Sequence, residues 1–240
     1  MKKNHTRVIT LMLATILMFS GITGLLTGCQ QPVVPTEDTT PSAQATKPVL
    51  QLPQEGKAMD DQTLEWFRVL FMAHQDPYTK HPTNWYNMIL GTQFDCPENI
   101  NLQELFYNGT LWPRTLSDSE KAYLQGRGFD LNFSVAVLPL EDANEVLESY
   151  FGLTWEQTKG VGTDAWTFSE DTQRFYKATS DYHSWNFEIL GGAELDDGTI
   201  RLYYSLDFPG YEDTVFAITM QGKASQGQMG YYILSNLPVE

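Results

Sequence analysis

Tyr176, Asp181, Tyr182 and His183 form the tightest group of chemistry-bearing side chains in this sequence. An Asp close to a His can orient the imidazole as a general base, and that pair is the basis of a hydrolase reading. The simpler reading is a turn between two strands, in which Asp181 caps backbone and His183 stands in solvent. The remaining material is thin. After residue 28 the other histidines are His74 and His81, with no His-Glu-x-x-His or other metal-ligand spacing. Asp197-Gly198-Thr199-Ile200 matches the middle of a calcium loop. Registering Gly198 at the glycine position, however, puts Ala193, Leu195 and Tyr204 where oxygen ligands are needed. Near Ser225, Gly222 stands one residue too far back for a Gly-x-Ser-x-Gly elbow. The sequence therefore predicts no metal, no cofactor and no assigned catalytic residue.

Aromatic side chains are the stronger signal. Trp166, Tyr176, Tyr182, Trp185, Tyr203, Tyr211 and Tyr231 fall in or beside a β-rich region. Tyr203 and Tyr231 alternate out of phase with the apolar residues of their strands. Flat rings beside carboxylates and amides suit a sugar face or an extended peptide, and core packing is the competing use of the same rings. The candidate ligand-binding set is Trp166, Tyr176, Asp181, Tyr182, His183 and Trp185.

These residues must be positioned by one domain over 61–240, which holds 30 of the 31 aromatic residues. Leu64, Phe67, Leu70, Phe71 and His74 recur at helical spacing, which predicts a helix over 64–74 with Thr63 as N-cap. Short helices are expected around Trp85–Ile89 and Leu102–Phe106, the latter closed by Asn108-Gly109. Ser117 and Glu120 make a capping box for a further helix. Phe129 to Val137 alternates with period two and predicts a half-buried strand interrupted at Pro139. Asp142 with Glu145 predicts the cap of the next helix, which ends at Gly152, and Thr154 with Gln157 repeats the pattern. Strands are expected at Trp185–Ile189, Ile200–Leu206, 214–221 and 230–235, with a turn from Gly191 to Gly198 that contains Asp196-Asp197-Gly198. Helices first and strands last indicate α+β, with the N-terminal helices packed on a C-terminal antiparallel β-meander sheet.

Upstream the composition changes. Lys2, Lys3 and Arg7 precede an uncharged, mostly apolar run from Val8 to Leu26, which ends in Leu26-Thr27-Gly28-Cys29. A run of that length can span a bilayer. Its Thr, Ser and Gly residues, with small residues leading into the cysteine, favour a cleaved leader. The four-residue box resembles a bacterial lipobox. The resemblance implies cleavage before Cys29, acylation of its thiol, and tethering at the extracytoplasmic face of the cell membrane. Residues 30–60, rich in Pro, Thr and Gln without an aromatic residue, read as a disordered tether of roughly 30 Å. Loss of residues 1–28 leaves twelve basic against 30 acidic side chains, a net charge near −18. That balance disfavours nucleic acid and anionic membrane surfaces as electrostatic partners. With Cys29 acylated, Cys96 is a lone thiol beside Asp95, an environment that discourages a thiolate.

The pattern from Asn101–Gly109, Glu145–Thr158, Trp166, Phe175-Tyr176 and Asp181 to Tyr231–Leu237 resembles uncharacterised lipoproteins of clostridial bacteria. The likeness covers about 100–240 and implies a fold unit and a location, but no activity. The expectation is a lipid-anchored, non-enzymatic binding module for a glycan or peptide. An envelope hydrolase using Asp181 and His183, or a structural or inhibitory partner of another secreted protein, are the alternatives. Oligomeric state is not legible.

Overall fold

Four consecutive strands carry the C-terminal part of the chain. They are β5 (Phe187–Glu194), β6 (Ile200–Leu206), β7 (Val215–Gly222) and β8 (Tyr231–Pro238). The computed structural model describes residues 52–74, 84–107, 115–178, 184–223 and 230–239. The four strands pair antiparallel in sequence order, and β1 (Lys57–Ala58) adds to the free edge of β5. Alternation explains the register. Leu202, Tyr204 and Leu206 of β6 face the core with Phe216 and Ile218 of β7, all buried. The β5–β6 turn closes on Gly198 at φ +79°, with Asp197 accepting from the backbone and hydroxyl of Thr199 at 2.9 and 2.7 Å. A hairpin turn thus accounts for the calcium-loop-like residues.

Among the described residues five α-helices accompany the sheet: α1 (Asp61–Phe71), α2 (Trp85–Ile89), α3 (Leu102–Tyr107), α4 (Asp118–Gly126) and α5 (Leu140–Phe151). α1 lies against β5 and α5 against β8, burying Phe67, Phe71, Leu147 and Phe151. The architecture is α+β with a C-terminal antiparallel meander, as the periodicities predict. Helix ends are less uniform. Asp60 rather than Thr63 caps α1, accepting from the Thr63 N–H at 2.8 Å. Pro139 rather than Asp142 precedes α5, whose end at the left-handed Gly152 follows expectation.

A second sheet, in the order β2 (Val135–Pro139), β4 (Arg174–Ala178), β3 (Thr167–Ser169), is also antiparallel. The strand expected from Phe129 begins only at Val135. Asp130 folds its carboxylate onto the N–H of Asn132 at 3.0 Å, an Asx turn that consumes the first half of the alternating run. β2 is buried on both faces. Ala136 and Leu138, with Phe175 of β4, join the main core. Val135, Val137 and Tyr176 pack under Leu124 of α4.

The domain also begins earlier than its composition indicates. Gly191 and Gly192 leave the β5 backbone bare, and Leu52 and Met59 fill that space. A Cβ on Gly191 would stand 2.7 Å from Leu52 Cδ1, and one on Gly192 3.1 Å from Met59 Sδ. Glu55 pairs with Arg201 of β6. Residues 52–60 of the expected tether therefore belong to the folded unit.

Gly91, just past α2, is a closer approach still. A Cβ there would meet the six-membered ring of Trp185 at 2.1 Å. Gly91→Ala is expected to displace that buried indole and cost about 2 kcal/mol, as overpacking does. Urea unfolding checks it; unchanged stability would mean that the ring has room to move.

Candidate functional site

Of the sequence-predicted ligand residues, Trp166, Tyr176 and Trp185 are all buried, at 7%, 0% and 6% exposure. Each is committed to packing. Trp166 lies beside the Lys177 ammonium, 5.9 Å from the ring centroid. Trp185 packs edge-on against Phe208 with centroids 5.0 Å apart, and its backbone N–H and C=O bond to the Asn87 side chain at 2.8 and 2.9 Å. Tyr203, expected on the outer face of β6, is also buried because the segment from Leu52 covers that face. Tyr211 and Tyr231 are half-buried. An aromatic platform on the sheet is therefore absent among the described residues. Asp181, Tyr182, His183, His81 and Cys29 lie outside the described residues.

Tyr176 instead joins the Ser117–Glu120 capping box in a polar clamp whose β4 partners no local pattern announces. Glu120, 5% exposed, accepts from the Arg174 guanidinium and the Tyr176 hydroxyl through Oε1, both at 2.7 Å. Its Oε2 accepts from the Ser117 N–H at 2.8 Å and hydroxyl at 2.7 Å. Burial pushes the Glu120 pKa up, but the bonds from Ser117, Tyr176 and Arg174 outweigh it and hold the carboxyl at about 2. A carboxylate so fully engaged ties α4 to β4 and is unsuited to moving protons.

Cys96 is half-buried at the start of a single 3-10 turn, Pro97–Asn99. Desolvation, a hydrogen bond with Glu98 and the charges of Asp95 and Glu98 push its thiol pKa up. It stays a protonated thiol rather than a nucleophile. No cluster of three or more His, Cys, Asp or Glu able to hold a metal occurs among the described residues.

An exposed tryptophan, Trp66, lies on α1, off the stripe that the helical periodicity picked out. Trp66 and Val69 are 36% and 51% exposed, and their three-residue spacing puts them on one outward side of the helix, which Met72, the C-cap residue, follows at 46%. Trp66 stands between two grooves. The first, about 440 Å³, is lined by Val69, Leu70, His74, Asn84, Tyr86 and Tyr150 beside it. The second, about 600 Å³, opens where the N-terminal half of α1 meets β1 and the β5–β6 turn. Its apolar walls are Met59, Phe67, Ile200 and Tyr231. Tyr231 and Phe67 hold the Trp66 ring edge-on, at 6.0 and 4.8 Å between centroids. Tyr86 braces this corner: its hydroxyl accepts from the Tyr231 N–H at 2.9 Å. The readable signal for Trp66 is an apolar residue outside the buried stripe of an amphipathic helix.

No helix of the described residues is long and apolar enough to cross a membrane. No protein-family model matches the chain, and no significant match is found among curated proteins or solved structures.

Proposed function

We propose that this chain is a lipid-anchored protein of the extracytoplasmic membrane face whose folded part is a non-enzymatic binding module for a peptide or glycan. One observation carries the binding reading: Trp66, one-third exposed, rises between two grooves of about 440 and 600 Å³. Both volumes fall within the range of ligand pockets. The surrounding rings are held by packing, so the surface is preformed and loses little freedom on binding. Ligand titration should shift the tryptophan emission of the chain, and Trp66→Phe should remove most of that shift. A shift that survives in Trp66→Phe would locate binding elsewhere.

The anchor reading rests on Leu26-Thr27-Gly28-Cys29 and the apolar run before it. Two or more acyl chains at Cys29 hold a protein durably, where one chain gives marginal binding. Cys29→Ala is expected to yield an uncleaved precursor without lipid. Metabolic labelling with a palmitate analogue checks it, and wild-type labelling in the variant would refute the assignment.

A further inference from the structure

The larger groove combines an apolar pit with a rim of one dominant charge. Met59, Phe67, Ile200 and Tyr231 make the pit, and Asp60 and Glu194 line its mouth. Asp61 follows Asp60 in the first turn of α1, and Asp196 and Asp197 lie in the turn that ends at the lining residue Gly198. All five carboxylates are exposed, and Lys57 is the one cation among the residues lining the mouth. Hydrogen bonds from Thr63 hold the Asp60 pKa below the usual carboxylate range, and those from Thr199 do the same for Asp197. Asp60 and Asp197 thus stay anionic across the physiological range. The whole chain leans the same way, with 30 acidic against 15 basic side chains.

We propose that this mouth receives an extended basic peptide segment, one large apolar side chain entering the pit while flanking lysines or arginines meet the acidic rim. The inference rests on the binding-module reading above and names its ligand. Three features select a peptide over a glycan. The pit is walled by aliphatic and edge-on aromatic groups, which fit a side chain better than the face of a sugar ring. Rim charge complements a cationic chain and would steer its approach. One wall is Lys57 and Ala58 of β1, the edge strand of its sheet, and no described strand pairs with its outer side. An extended segment can add main-chain hydrogen bonds there, with alternate side chains turned into and out of the pit.

The test uses the full chain in non-ionic detergent and three fluorescein-labelled decapeptides read by anisotropy. One carries a central Phe flanked by lysines, one a central Phe flanked by glutamates, and one a central Ser flanked by lysines. The first is expected to bind about tenfold or more tighter than either other, and to weaken as salt is raised. Asp60→Asn with Glu194→Gln should reduce that affinity at least about fivefold, Asn keeping the helix cap that Asp60 supplies. Trp66→Ala should reduce it by a similar factor. Equal binding of the glutamate peptide, or of the serine peptide, would overturn the proposal. N-acetylglucosamine oligosaccharides that bind in a Trp66-dependent way, when the lysine–phenylalanine peptide does not, would overturn the peptide ligand and leave the binding module standing. No Trp66-dependent binding by any of these probes would remove both.

Discussion

Asn236→Asp is expected to destabilise the fold by about 4 kcal/mol at neutral pH, since it puts an acceptor where a buried donor is needed. Asn236 is completely buried in β8. Its amide donates to the carbonyls of Ile89, Leu90 and Thr92 at 3.2, 3.3 and 2.9 Å, gathering the last turn of α2 onto the sheet. Its Oδ1 accepts from the Tyr204 hydroxyl at 2.8 Å, and that single proton is shared with the Leu90 carbonyl, also at 2.8 Å. A carboxylate of the same shape would face three carbonyl oxygens with no proton to offer. Its pKa in the folded state would therefore rise above the unfolded value of about 4. The folded form then binds the proton more tightly than the unfolded one. The penalty should shrink as pH falls through the raised pKa, and be smallest below the unfolded value. Urea unfolding of the variant and the parent from pH 8 to pH 4 measures it. A penalty independent of pH would show that the site relaxes or admits water.

Glu120→Ala is the second large effect, about 3 kcal/mol, and its penalty also shrinks as pH falls, here because the parent loses stability rather than because the variant gains it. Removing the carboxylate takes the Glu120 acceptor from Arg174, leaves the Tyr176 hydroxyl with Thr172 alone, and opens the capping box at Ser117. In the parent, the folded pKa of about 2 lies below the ordinary value of 4.5. The stabilisation is then complete above the unfolded value, and is lost as pH falls from there through the folded one. The parent should thus lose stability between about pH 4.5 and 2 more steeply than Glu120→Ala does. Parallel acid-unfolding curves would mean that Glu120 does not carry this acid sensitivity. Tyr176→Phe separates the parts: it removes one bond to Glu120 and leaves Arg174 and Ser117 in place.

Both clamps show what sequence reasoning can reach. Ser117 and Glu120 are three residues apart, and their reciprocal bonds follow from helix geometry alone, so the capping box was legible. The partners that make Glu120 buried and strongly acidic, Arg174 and Tyr176, are brought to it by pairing within a sheet. Asn236 and Asn87 gave no sign at all. A lone Asn in an apolar strand or helix reads as a weak point until the carbonyls it serves are seen. Helix existence and the meander were readable for the same reason as the capping box, though β5 runs on to Glu194 through residues that read as its turn.

The aromatic residues mark the boundary of that legibility. The alternation of Tyr203 against Leu202 and Tyr204 placed it correctly on the opposite face of β6. What the pattern did not contain is that Leu52 and the residues after it cover that face. Tyr176 likewise points away from the main core, yet α4 closes over it. Trp66 went the other way: it belonged to a helix whose buried stripe was found, and its exposure depends on no other described residue covering it.

By itself the sequence determined the α+β class, the meander, the capping boxes, the acidic surface and the composition break ahead of the folded unit. These are consequences of rules that act within a few residues or through bulk composition. Only the tertiary structure decided which rings are core and which are surface, where the unit begins, and that an exposed tryptophan lies on the first helix. Burial belongs to a pair of surfaces, and the second surface comes from residues dozens of positions away.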